Sequence, residues 1–214
     1  MRSIKALELI NNGRIEELKA ALQDEIYQEQ LAATPDAKKR YAAMKKYFTY
    51  TNHDGEYAQK PCIVKFEGDN YISFCNTWSL ALTKEDCGEI ELFDNAEGKY
   101  PDVCKLPRFD GIKKKIDFNR VIAEAKSLGY KLSKNEVGPR FKFLMLYDGT
   151  YYKIGLIDAT YSIIDDGEIP MVYHPDGKKQ PLTIQTSIGI CMIMPVYMHS
   201  GEPDESHIII KAII

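Results

Sequence analysis

The sequence predicts an α+β fold of two pseudo-symmetric units, each a helix followed by antiparallel strands. Apolar residues at helical spacing alternate along the chain with short β-rich runs, and Asp-Gly turns separate several of these runs. The segment that starts at Val64 is similar in pattern to the segment that starts at Leu144, 80 positions later (144 − 64). The preceding helices align at nearly the same offset, with Asp36 on Asp117 (117 − 36 = 81). The sequence therefore predicts a duplicated unit.

Three segments follow from this pattern. Residues 1–33 are expected to form an N-terminal helical extension, broken at Asn11-Asn12-Gly13. Residues 34–110 form the first half, and residues 111–214 form the second half, which ends in an extra strand, HIIIKAII.

The individual elements can be placed by their periodicity. A helix begins at Thr34-Pro35 and has Tyr41, Met44 and Phe48 on its core face. A second helix covers about 117–128, is capped by Asp117 and ends at Gly129. The predicted strands are CIVKF, YISF, SLAL, GEIELF, FKFLMLY, TYYKIGLI, ATYSII, MVYH, PLTIQ and GICMIMPVYM.

Composition excludes several classes of protein. The chain has 214 residues, a net charge of −3 and no apolar run long enough to cross a bilayer. The N-terminus lacks a signal-peptide cleavage site, so we expect a cytoplasmic protein without membrane contact. The five cysteines include no CxxC pair, which favours reduced structural thiols.

No catalytic or metal-binding motif is present. The four histidines lack metal-ligand spacing, and the sequence has no GxSxG, P-loop or Rossmann glycine pattern. Asp165, Asp166 and Glu168 form an acidic loop that suits either a cation or an ordinary charged turn. We therefore expect a non-enzymatic protein with no cofactor, the alternative being a small enzyme that uses a cleft between the two halves.

Four segments, in order, resemble the bacterial DNA sliding clamp family, the β subunit of DNA polymerase III. EGKYPDVCKLP (97–107) is similar to the family's inter-domain joint EGKYPDYEKVIP, and IDFNRVIAEAKSL is similar to the helix that follows it. KFEGDNYISFCNTWSLALTKED resembles the strand pair leading into the family motif TDGHRLAL, and PLTIQTSIGICMIMPVYM resembles the terminal strand pair ending in MPMRL. The resemblance covers about residues 36–198 and implies a DNA-clamp fold.

The chain departs from the family at several positions. Asn76, Trp78 and Ser79 replace the Asp and the His-Arg of the TDGHRLAL motif, and Tyr197 replaces the final Arg of MPMRL. The chain is also too short for the three domains of the family. The resemblance therefore implies a short clamp-like relative.

Clamp helices face the phosphates of duplex DNA, so the resemblance implies a DNA-binding role for basic helices. On the first helix Lys38 and Lys45 share one face, with Lys39 and Lys46 alongside. The candidate DNA-binding residues are Lys38, Lys39, Lys45, Lys46, Lys113, Lys114, Lys115, Arg120 and Lys126. The alternative is a solvated helix face without a partner.

Clamps also hold short peptides of DNA-processing proteins in an apolar groove. The matching positions, and hence the candidate peptide-binding residues, are Trp78, Leu80, Met194, Pro195 and Val196. Ordinary strand core is the alternative for this set. The resemblance therefore implies non-specific contact with double-stranded DNA, peptide partners and a possible homo-oligomer, while a clamp-type interaction module that does not bind DNA is the main alternative.

Overall fold

The structure is a computed structural model that describes residues 10–19, 22, 35–51, 61–76, 78–84, 90, 92, 106–175, 179–196 and 203–212. These residues form a mixed α+β fold with two β-sheets, and the expected α+β class is confirmed at this level.

Four helices and ten strands are named here in chain order. The helices are α1 (Pro35–Thr51), α2 (Phe118–Ser127), α3 (Lys134–Val137) and α4 (Ile154–Ile164). The strands are β1 (Cys62–Phe66), β2 (Asp69–Cys75), β3 (Ser79–Thr83), β4 (Ile112–Lys115), β5 (Phe143–Tyr147), β6 (Thr150–Lys153), β7 (Met171–His174), β8 (Leu182–Gln185), β9 (Gly189–Ile193) and β10 (Ile208–Lys211).

Local signals in the sequence produce several of these boundaries. The Asp117 carboxylate accepts a hydrogen bond from the Arg120 N–H at 2.9 Å, which caps α2 as expected. Asp148 (φ 48°) and Gly149 (φ 70°) both adopt positive φ, which is the backbone that a two-residue hairpin turn between β5 and β6 requires.

The larger sheet has seven strands in the order β1-β2-β3-β9-β8-β7-β4, and every neighbouring pair in it is antiparallel. The smaller sheet has the order β10-β5-β6. The expected C-terminal strand is therefore present as β10, which pairs with β5 in parallel. Segments 34–110 and 111–214 both contribute strands to the larger sheet, because β3 pairs with β9.

The larger sheet is pseudo-symmetric about the β3–β9 pair. Ala81 lies opposite Cys191 at its centre, 110 positions apart (191 − 81). The Ile72–Thr83 pair of β2 and β3 corresponds, at the same displacement, to the Leu182–Ile193 pair of β8 and β9. Each set of three strands follows a helix, β1-β2-β3 after α1 and β7-β8-β9 after α4. The repeated unit is therefore one helix with a three-stranded meander.

The sequence predicted a repeat at an offset of about 80, and the elements predicted for its second unit are wrong after the first two strands. The β5–β6 hairpin matches β1–β2, but the residues aligned with β3 form α4, so the strand predicted for ATYSII is wrong too. The physical reason is burial: every residue of α4 except Ser162 is buried. A segment without a polar face has no readable helical period in its sequence.

Two apolar layers sandwich the larger sheet. One layer lies between the sheet and the helices and contains Met44, Phe74, Ala81, Ile157 and Cys191. The other layer covers the opposite face and contains Val64, Phe66, Leu80, Leu82 and Met192, with Phe109 packed against it. Both faces of the central strands are thus buried, which explains their continuous apolar character.

The N-terminal extension lies largely outside the described residues. Residues 15–19 are helical, and the Gly13 N–H donates to the Ile10 carbonyl in the expected turn. Most of GEIELF, most of EGKYPDVCKLP and the Phe48 side chain also lie outside the described part. None of the helices in the described ranges has the length and apolar character needed to cross a bilayer.

Gly189 is expected to be intolerant of any side chain. A Cβ there would lie 2.4 Å from the Leu82 carbonyl oxygen and 2.5 Å from Ile164 Cγ2 of α4. We expect Gly189→Ala to lower the free energy of unfolding by about 1–3 kcal/mol through overpacking, measured by urea denaturation. Lys115→Ala, at an exposed position of β4, is the control, with an expected change within about 0.5 kcal/mol. Equal stability of the two variants would contradict the helix–sheet contact.

Candidate nucleic-acid interface

A cleft opens where α1, α4 and the segment after α2 meet, and we name it the lysine cleft. Its volume is about 520 Å³. Its lining residues are Lys39, Ala42, Ala43 and Lys46 of α1, Lys126 of α2, Tyr130, Lys131 and Leu132 of the following segment, and Asp158, Ala159 and Ser162 of α4.

Four lysines from two separate segments border this cleft. Lys39 and Lys46 are seven residues apart on α1, which places them about two turns apart on one face. Lys126 lies in the last turn of α2, and Lys131 follows beyond Gly129. All four side chains are exposed. The cleft therefore concentrates positive charge, although the whole chain carries a net charge of −3.

Lys39 is also a structural residue. Its Nζ lies 2.8 Å from Oδ2 of Asp165, whose side chain is buried and also receives hydrogen bonds from the Tyr161 hydroxyl and the Gly167 N–H. Burial alone would raise the pKa of the Asp165 carboxyl, but the hydrogen bonds from Lys39 and Gly167 outweigh it and hold that pKa below its ordinary value. Lys46, Lys126 and Lys131 are thus the better candidates for an external anion.

Asp158 forms a negatively charged floor in the lysine cleft. The carboxylate belongs to a residue that is 8% exposed, and it accepts hydrogen bonds from the Tyr130 hydroxyl at 3.0 Å and from the Ser162 hydroxyl at 3.5 Å. These contacts orient the carboxylate within the lining of the cleft. The cleft can accept a ligand whose anionic group lies near the lysines and whose hydrogen-bond donors face Asp158.

The other predicted DNA-binding residues do not gather at this cleft. Lys38 and Lys45 are exposed on α1 beside it, and Lys45 Nζ lies 4.3 Å from the centroid of the Tyr41 ring. Arg120 is exposed on α2.

Lys113, Lys114 and Lys115 lie on β4, at the edge of the larger sheet. Lys114 pairs with Val172, which belongs to the core under the helices, so Lys113 and Lys115 project from the opposite face of the sheet. The nine candidates therefore do not share one surface.

The expectation of two basic repeat helices is also wrong. The helix that is symmetric to α1 is α4, and its only charged residue is Asp158. The basic helix that the sequence placed there, α2, instead borders the lysine cleft from outside the repeated unit.

The predicted peptide-binding residues are brought together but are unequally exposed. The Met194 N–H donates to the Trp78 carbonyl at 2.8 Å, and the side chain of Trp78 is 48% exposed. Met194 and Val196 are half-buried and Pro195 is buried. Leu80 has no exposed surface, so its assignment to a peptide surface is wrong, because it packs in the core on the second face of the sheet.

Trp78 is held by a lysine that the sequence did not single out. Lys153 Nζ lies 5.4 Å from the Trp78 ring and 4.5 Å from the Phe141 ring, and it donates to the Gly138 carbonyl at 2.8 Å. Lys153 is only 7% exposed, and this burial lowers its pKa to about 8. The arrangement places an exposed aromatic ring beside the buried Lys153 amine.

The acidic loop binds groups of the chain itself. Asp165 pairs with Lys39, and Asp166 accepts hydrogen bonds from the backbone and the hydroxyl of Ser187. Among the residues with described positions, no group of three or more His, Cys, Asp or Glu is arranged to hold a metal ion. Cys62, Cys75 and Cys191 are buried thiols outside disulfides.

Sequence reasoning missed Lys131, Asp158 and Lys153. Lys131 was within reach, since it follows Lys126 by five positions just past the helix end. Asp158 is a lone carboxylate in an apolar run, which is itself a signal of a buried polar partner. Nothing local distinguishes Lys153, because its neighbours Trp78 and Phe141 come from distant segments.

Comparison of the chain with protein-family models, with curated proteins and with solved structures gave no match.

The lowered pKa of Lys153 predicts a pH-dependent stability. The amine loses its proton near pH 8 in the folded chain but near 10.5 in the unfolded chain. The unfolded chain therefore binds more protons between these values, and this contribution to stability increases as pH rises through them. We expect the unfolding free energy of the wild type, relative to Lys153→Met, to rise from pH 8 to pH 10.5 in urea titrations followed by Trp78 fluorescence.

Lys211→Met is the control, because it removes one exposed positive charge from a strand. Its change in unfolding free energy at each pH is subtracted from that of Lys153→Met. If the difference in unfolding free energy between the wild type and Lys153→Met stays constant over this pH range, the lowered pKa of the Lys153 amine is refuted.

Proposed function

We propose that this protein is a non-enzymatic, clamp-like DNA-associated protein that contacts DNA phosphates through the lysine cleft. The observation that carries the proposal is the convergence of Lys46 of α1 with Lys126 and Lys131, from a different segment, on one concave surface. Contacts between lysines and phosphates are independent of base sequence and depend strongly on salt.

The arrangement of the repeated unit supports a DNA-clamp type of fold. Two helix-plus-meander units joined through the β3–β9 pair form one continuous sheet with the helices on one face. This arrangement agrees with the resemblance to the sliding clamp family in its two meanders, whereas the helix that the resemblance identified, IDFNRVIAEAKSL, is α2 and lies outside the repeated unit. Encirclement of DNA would need several copies of the chain, because one copy contributes a single pair of repeat helices.

A protein-interaction module is the second candidate function. Its support is Trp78, a half-exposed ring fixed by Lys153 and adjacent to Met194 and Val196. A rigid aromatic residue at the surface is a common anchor for a partner chain. This function and DNA contact use different surfaces and are compatible.

Charge reversal in the cleft tests the DNA proposal. We expect the wild type to bind labelled duplex DNA with a logarithmic affinity that falls linearly with the logarithm of salt concentration. The variant Lys46→Glu/Lys126→Glu should reduce the magnitude of that negative slope by about 2, since each phosphate contact contributes about 1. The measurement is fluorescence anisotropy over a series of salt concentrations.

Lys113→Glu/Lys115→Glu is the matched control, because it makes the same charge change on the opposite sheet face. Its salt slope should equal that of the wild type. Absence of binding, or the same loss in both double variants, would leave the interaction module as the function.

Truncation of Trp78 tests the interaction module. We expect wild-type protein to bind short apolar and aromatic peptides, since the Trp78 ring is exposed beside the half-buried Met194 and Val196. Trp78→Ala should weaken this binding by about 2 kcal/mol, roughly 30-fold, in calorimetry. Ile169→Ala removes an apolar side chain that is equally exposed, 48%, and should have no effect. Equal losses in both variants would reject Trp78 as an anchor.

A further inference from the structure

We propose that the lysine cleft takes up one unpaired nucleotide, so that the protein prefers single-stranded DNA, or DNA with an unpaired base, to fully paired duplex. This inference rests on the proposed contact with DNA and specifies which form of DNA fits the cleft. The observation behind it is a lysine rim placed over a carboxylate floor.

The shape of the cleft supports the uptake of a nucleotide. Phosphate contact alone needs only an exposed lysine surface, whereas this cleft is concave and encloses about 520 Å³. A volume of that size is typical of pockets for small organic molecules. Three alanines, Ala42, Ala43 and Ala159, line it and leave room that larger side chains would fill.

The distribution of charge in the cleft also supports the uptake of a nucleotide. Asp158 at the floor would repel a phosphate but accept hydrogen bonds from the amino group of a nucleobase. An ionised carboxylate accepts about four hydrogen bonds, and those from Tyr130 and Ser162 fall on different oxygens. A nucleotide matches this gradient, with its phosphate at the lysines and its base at Asp158.

Base pairing determines in which form of DNA a base can reach Asp158. In a duplex each base is stacked and its pairing edge is occupied, so it cannot enter a cleft unless it is unstacked at a cost of a few kcal/mol. In a single strand or at an unpaired position that cost is small. Adenine, cytosine and guanine carry an amino group for Asp158, whereas the pairing edge of thymine offers only an N3–H between two carbonyl oxygens, which a carboxylate repels.

The binding of defined oligonucleotides tests the inference by anisotropy at constant salt. We expect single-stranded oligo(dC), and a duplex with one unpaired dC, to bind about tenfold tighter than a fully paired duplex of the same length. Oligo(dT) should bind more weakly than oligo(dC).

Ala42→Leu fills the cleft at an exposed helix position without changing any charge. It should abolish the preference for the unpaired base, so that single-stranded oligo(dC) and the fully paired duplex bind with similar affinity. Ala123→Leu, at an exposed position of α2 outside the cleft lining, is the control and should behave like the wild type. Asp158→Asn, checked by thermal unfolding, should reduce the discrimination between dC and dT while the salt slope stays constant.

The outcomes separate the two proposals. Salt-dependent binding in which duplex equals or exceeds single strand, or in which Ala42→Leu changes nothing, overturns this inference and leaves DNA contact in place. Absence of salt-dependent binding to any of these DNAs overturns the proposed function and the inference with it.

Discussion

The packing of α4 onto the central β3–β9 pair is the constraint on which the rest of the structure depends. The helix approaches so closely that Gly189 has no space for a side chain beneath Ile164. Because α1, the sheet and the segments after α2 surround it, α4 is buried almost completely. Asp158 and Ser162 of this helix line the lysine cleft.

Two carboxylates near α4 differ in role because their partners differ. Asp165 forms an ion pair with Lys39 and accepts a hydrogen bond from the Gly167 N–H, so it joins α1 to the end of α4. Asp158 accepts hydrogen bonds from the neutral hydroxyl groups of Tyr130 and Ser162, and it forms no ion pair with any residue that the structure describes. The field of the lysine cleft is therefore positive at the rim and negative at the floor.

The β6–α4 segment positions both candidate surfaces. Lys153 ends β6 and lies between the Trp78 and Phe141 rings, and α4 begins at the next residue and carries Asp158 to the lysine cleft. Because the helix between them is buried, neither surface can shift without repacking the core. The β6–α4 segment thus contacts the aromatic surface through Lys153 and the charged cleft through Asp158.

Local chemistry in the sequence determined the elements with a polar face or a specific turn, namely α1, α2 with its Asp117 cap, the β5–β6 hairpin and the strands on either side of the symmetric centre. The resemblance to the sliding clamp family implied Lys39, Lys46 and Lys126 as candidates and grouped Trp78 with Met194. Only the tertiary structure decided that 154–164 is a helix, because complete burial removes the polar face that periodicity needs. It also decided which lysines share a cleft with Asp158, since such convergence depends on how distant segments pack and not on spacing along the chain.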